Sequence, residues 1–133
     1  MAATQANKTD VDILLSVKMP AEINYLGGIL FRYQDATHFW AAIIRRVGGA
    51  TPTLHLVKDD AAVISANITQ VNDTIFTMRV VVSGNDFSLY WNDIVTPLIT
   101  YSDSTYNNNT VHGLYTYRDG TFRAVYMDNF KLK

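Results

Sequence analysis

One glutamate, three histidines and no cysteine leave this chain of 133 residues few groups for acid–base or nucleophilic chemistry. Retaining glycoside hydrolysis needs two carboxyl groups about 5–5.5 Å apart, one as nucleophile and one as acid. Glu22 stands alone in the turn-like stretch Met19-Pro20-Ala21-Glu22-Ile23-Asn24, with no second carboxylate at a useful strand spacing. His38, His55 and His112 are far apart and fall in different strand-like runs. Surface or strand-edge roles are expected for them rather than a metal triad. Absent cysteine removes disulfides and thiolate ligands, and no Gly-x-Ser-x-Gly elbow presents a serine. The chain is read as a non-enzyme.

Recognition chemistry is better represented. Tyr90, Tyr115 and Tyr117 alternate with Phe87, Leu89, Trp91 and Leu114, so they are expected to face away from a core. Outward tyrosines offer flat faces to sugar rings and hydroxyls to their edges. The polar stretch from Ser102 to Thr110 adds Tyr106, Asn107 and Asn108, the residue types of recognition loops. The candidate ligand set is therefore Tyr90, Tyr106, Asn107, Asn108, Tyr115 and Tyr117. Trp40 and Trp91 are expected in the core, because tryptophans bury large areas. Asn-x-Thr sequons begin at Asn7, Asn67, Asn72 and Asn108 and carry meaning only for a secreted eukaryotic protein.

Strands must position these groups. Val11, Ile13, Leu15, Val17 and Met19 alternate with more polar residues, as do Ile29, Phe31 and Tyr33, the period of a half-buried strand. Phe39 to Arg46 is a second run closed by Gly48-Gly49, and Thr53 to Lys58 ends at Asp59-Asp60. The clearest hairpin joins Phe76–Val82 to Phe87–Trp91 through Ser83-Gly84-Asn85. Leu98 to Tyr101, His112 to Tyr117 and Thr121 to Leu132 complete about ten short strands, counted by their spacing. The pattern predicts an all-β sandwich with Phe31, Phe76, Met78, Val80, Phe87, Leu89 and Leu114 buried.

Composition narrows the partners. The formal net charge is -1 and the eleven Lys and Arg are scattered, so no basic stripe exists for nucleic acid. No apolar run approaches a membrane span, and "MAATQANKTD" lacks the features of a signal peptide. Residues 1–10 are expected to be a linker or an appended start, and 11–133 the domain, a module of something longer.

Four stretches in order, Gly28 to Phe39, Val82 to Asn92, His112 to Tyr115 and Met127 to Leu132, resemble the concanavalin A-like lectin/glucanase superfamily. The nearest likeness is to its laminin-G-like and accessory modules. The resemblance implies a jelly-roll β-sandwich of two antiparallel sheets. It implies a non-catalytic module too, since the superfamily's Glu-x-Asp-x-x-Glu cluster is missing. Superfamily members often hold Ca²⁺ at one edge; Asp35, Asp128 and the carbonyls of Gly27-Gly28, read as a turn, are the candidate ligands, against simple turn-capping roles. No other cofactor is expected. The family's Arg-x-x-Asp spacing implies that Arg32 pairs with Asp35 or packs across the strand pair. The expected partner is a glycan or host-surface polysaccharide, met from an extracellular or virion surface. The alternative is a structural phage or virion domain that contacts other subunits and binds no sugar. Neither nucleic acid nor membrane is expected as partner.

Overall fold

The computed structural model describes residues 2–5, 8–116 and 122–132, the first four by backbone alone. Among the described residues there are twelve strands and no helix: β1 (Ala2–Gln5), β2 (Val11–Lys18), β3 (Tyr25–Asp35), β4 (His38–Arg46), β5 (Thr53–Lys58), β6 (Ala61–Asn67), β7 (Ile75–Ser83), β8 (Asp86–Trp91), β9 (Ile99–Ser102), β10 (Val111–Thr116), β11 (Arg123–Ala124) and β12 (Tyr126–Leu132). They form two sheets. Sheet A runs β1-β10-β3-β4-β5-β6, with β11 beside β3, and sheet B runs β12-β2-β7-β8-β9. All pairings are antiparallel except the short parallel one of β11 on β3.

Period-2 alternation places the core where the sequence predicts. Ile13, Leu15 and Val17 of β2, Met78 and Val80 of β7 and Phe87 and Leu89 of β8 face Ile29, Phe31, Trp40, Ala42, Leu54 and Leu56 across the sheets. Phe87 meets Trp40 and Phe31 edge-on at 4.9 and 5.3 Å between ring centroids, a geometry that aromatic quadrupoles favour. Phe76 and Leu114, expected to be buried, are only half-buried. Strand β8 ends with Trp91 opposite Met78, so Phe76 has no strand neighbour on that side and stacks on Trp91 instead, at 5.2 Å. Leu114 lies one strand from the edge of sheet A, opposite Ala2 of β1.

Turn chemistry follows the sequence. Strand β5 passes to β6 through Asp59 and Asp60, both at positive φ (51° and 65°), as a two-residue primed turn requires. Gly84, at φ 59°, closes the β7–β8 hairpin.

Within residues 1–10, expected to be a linker or an appended start, Ala2–Gln5 add a strand to β10, and Lys8, Thr9 and Asp10 make polar contacts with buried groups. Two expectations are corrected. The final run is not one strand, because β11 belongs to sheet A and β12 to sheet B. The chain changes sheet at Val125, which is buried in the core between them. Gly27-Gly28 is not a turn but strand interior, with Gly28 opposite both Ile43 and Tyr115.

Candidate functional site

The outward-facing side of sheet A is itself largely buried. Leu26, Leu30, Phe39, Ala41, Ile43, Val57 and Tyr115 form a second apolar cluster there, with Tyr33 and Phe122 packed against it. Register explains it. Gly113, Leu30, Ala41, Val57 and Ala62 form one row across the strands, and Tyr115, Gly28, Ile43, His55 and Ser65 the next. A Cβ on Gly28 would stand 2.0 Å from the Ala42 carbonyl oxygen. Only glycine permits so close an approach of two strands.

A groove of about 310 Å³ opens on this face. Leu26, Ile43, Val57 and Ala62 make its floor, Tyr115 and Phe122 its aromatic walls, and Arg45, His55 and Asp60 its polar groups. The Tyr115 hydroxyl donates to Asp60 Oδ1 at 2.9 Å. Arg45 is exposed, with its guanidinium 5.6 Å from the centre of the Phe122 ring. His55 is half-buried and hydrogen-bonds Thr53 Oγ1 through Nε2. Burial, and after it the charge of Arg45, hold its pKa below the usual histidine value, so the imidazole is neutral near pH 7.

The expected ligand residues do not gather in one place. Tyr115 faces away from the core between the sheets, as its parity predicts, but lies buried in the outer cluster. Tyr106 reaches the same β5–β6 turn from elsewhere. Its hydroxyl bonds both oxygens of Asp59 at 3.0 Å, and its ring packs against the core and, edge-on, against His38. Asn107 approaches Asn85 at 3.5 Å and Asn108 is exposed. Tyr90 sits in sheet B, half-buried under the Arg79 guanidinium. Tyr117 lies outside the described residues. Arg45, His55, Asp60, Ile43 and Phe122 were missed. The signal for them is Phe39-Trp40-Ala41-Ala42-Ile43-Ile44, apolar at both parities, which marks a strand covered on both faces.

The calcium set does not assemble either. Asp35 closes its own hairpin, accepting from His38 Nδ1 at 2.7 Å and from Thr37 N and Oγ1 at 3.0 Å. The His38 bond first, then the Thr37 amide, pull its pKa down to about 2. Asp128 stands in the other sheet and accepts from the Asn129 amide at 2.8 Å, within a bulge of β12. Among the described residues no group of three His, Asp or Glu could hold a metal. Arg32 does not pair with Asp35. A register shift after Phe31 and a φ of 48° turn its side chain inward. There it is fully buried and donates to the Gly84 carbonyl at 2.6 Å and the Thr9 carbonyl at 3.2 Å, with Asp10 at 3.5 Å. His112 beside it accepts from the Arg32 amide and contacts the Lys8 carbonyl.

This is the architecture of the β-sandwich lectin folds. The carbohydrate binding module CBM66 from Bacillus subtilis superposes with a TM-score of 0.60 at 15% identity, covering 85% of this chain and 68% of that one. Sheep galectin-11, in a complex with glycerol, gives 0.65 at 7% identity over 99% and 96% of the two chains. A galectin from Caenorhabditis elegans gives 0.62 at 9%, over 99% and 88%. No protein-family model and no curated protein sequence matches.

Proposed function

We propose that this chain is a non-catalytic carbohydrate-binding module of the concanavalin A-like type, working at an extracellular or virion surface. One observation carries the reading: sheet A turns an apolar, aromatic-walled groove to the outside, edged by Arg45, His55 and the Tyr115–Asp60 pair. A pyranose has apolar C–H faces and hydroxyl edges, and such a groove matches both. Few, well-placed polar groups around an apolar floor are the usual composition of a small-ligand site. The fold shared with a carbohydrate binding module and with galectins supports the reading by analogy. The lone Glu22, exposed and 4.0 Å from Arg123, supports the non-catalytic part.

The test is a glycan array followed by titration of the hits. Ala62 is exposed at the groove, so Ala62→Trp fills it without touching the core and should abolish binding. Tyr90→Ala, on the other sheet, should leave binding intact. Retained binding in Ala62→Trp would move the site elsewhere.

A second reading, a structural module holding other protein subunits, draws on β6. This seven-residue edge strand, Ala61–Asn67, is mostly exposed and carries no charge, and such edges recruit further strands. Sedimentation equilibrium showing assembly, together with a blank array, would favour it.

A further inference from the structure

We propose that the sugar taken by this groove is acidic, its carboxylate or sulfate ester held by Arg45. The inference rests on the groove being the glycan site. Arg45 differs from the other described arginines in having no oxygen bonded to it among the described residues. Arg32 donates to carbonyls of Gly84 and Thr9. Arg46 donates to carbonyls of Glu22, Gly49 and Ala50. Arg79 grips both oxygens of Asp12, and Arg123 lies near Glu22. Among the described residues, the Phe122 ring is what lies against the Arg45 guanidinium, at 5.6 Å. Its N–H donors are therefore unspent, while the ring restrains the plane that carries them.

Position gives this group its meaning. Arg45 lies opposite Leu26 on one side and Thr53 on the other, where the apolar floor meets solvent. The one carboxylate lining the groove, Asp60, is bonded by Tyr115. It belongs to the turn that follows β5, whose opposite end, at Thr53, pairs with Arg45. Among the described residues, no lining carboxylate therefore sits at the Arg45 end. A guanidinium's planar fork matches an oxyanion in two parallel hydrogen bonds. The neutral hydroxyls of the same oligosaccharide would meet the Tyr115–Asp60 end.

Array members in matched pairs test this: uronate glycans beside their methyl esters, and sulfated glycans beside the unsulfated ones. The charged member of a pair should bind about 10- to 100-fold tighter, the size of one charge-assisted hydrogen bond. Arg45→Ala should erase that preference, and Arg45→Lys should keep part of it. Whether the uronate or the sulfated pairs show the gap identifies the oxyanion. Circular dichroism checks the fold, which substitution of an exposed residue should not alter. Equal binding of charged and neutral members, abolished by Ala62→Trp, would overturn the acidic sugar and leave the groove reading standing. Acid preference that survives Arg45→Ala would also overturn it. A blank array would remove both.

Discussion

The outward faces of the two sheets are built on opposite rules. Strand β2 of sheet B is buried and half-buried in strict alternation along its length. Strand β4 of sheet A is buried at six consecutive positions from Phe39 to Ile44. The outer face of sheet B carries Asp12, Ser16, Thr77, Arg79, Ser88 and Tyr90, half-buried polar groups interspersed with Leu14 and Val81, and Arg79 ties to Asp12 across strands. The outer face of sheet A carries Leu30, Phe39 and Ala41 with no exposure at all. One face is finished by solvent and the other by a second apolar layer. A site for a partly apolar ligand belongs on the second, because burying floor area there releases water from apolar surface.

The largest expected effect tests that second layer. Phe39→Ala should cost about 3–5 kcal/mol, as truncation of a buried aromatic does. Thr77→Ala, on the outer face of sheet B, should stay within about 0.5 kcal/mol. Urea unfolding of both variants measures the contrast, and equal costs would break it. Gly28→Ala comes next. The added methyl would collide with the Ala42 carbonyl oxygen and the Ile43 Cα, backbone atoms that cannot swing aside. Prying β3 from β4 should cost about 1–3 kcal/mol, typical of overpacking. A similar loss of the urea midpoint without loss of cooperativity is expected.

Parity made much of this fold legible and stopped at one question. Alternation placed Phe31, Met78, Val80, Phe87 and Leu89 in the core, where they lie. It also turned Tyr115 outward correctly. It could not say that outward on β10 means under Phe39 and beside the β5–β6 turn, since the cover comes from other strands. Tyr90 has the same parity on β8 and belongs to the opposite sheet, which no local pattern reveals. Arg32 escaped for a local reason. Positive φ at a non-glycine residue is uncommon, and the register shift that it accompanies reversed the side chain's direction. The bulge at Asp128-Asn129 has a local cause, since two short polar residues inside a strand favour side chain–backbone bonds such as that from the Asn129 amide to Asp128.

The two sheets should also part on acidification. His55 on sheet A has its pKa lowered, by burial first and then by Arg45. The unfolded chain then takes up the proton first as pH falls. The stabilisation is complete above the unfolded value of about 6.5 and is lost as pH drops below it toward the folded value. His112 acts in the same window and direction: burial lowers it and Arg32 adds to that, while its bond to the Lys8 carbonyl opposes. The loss should stay under about 1.4 kcal/mol per pH unit for each histidine. Comparing urea midpoints at about pH 7.5 and about pH 5.5 measures it, across the unfolded histidine value. His55→Gln and His112→Gln should each show a smaller drop than the parent. On sheet B, the Arg79–Asp12 pair brings no such loss from its arginine, whose pKa the Asp12 bonds raise further above this range.

The smallest expected effect is the worth of that pair. Arg79 donates Nε to Asp12 Oδ1 at 2.9 Å and Nη2 to Oδ2 at 2.7 Å, a two-pronged contact between neighbouring strands. The side chains are 26% and 25% exposed, so water screens the attraction but does not abolish it. Tyr90 lies under the guanidinium at 5.1 Å and restrains it, while the Ile94 carbonyl takes a further N–H. Good geometry in a wet setting places the coupling near the upper end for surface pairs, about 0.5–1 kcal/mol. A double-mutant cycle of Arg79→Ala and Asp12→Ala, read from urea unfolding, isolates it from the single-site losses. Repeating the cycle in about 1 M salt, where the Debye length shrinks to about 3 Å, should lower the coupling. A coupling well above this range that ignores salt would mean that the outer face of sheet B is sealed from water, and the contrast between the faces would fail there.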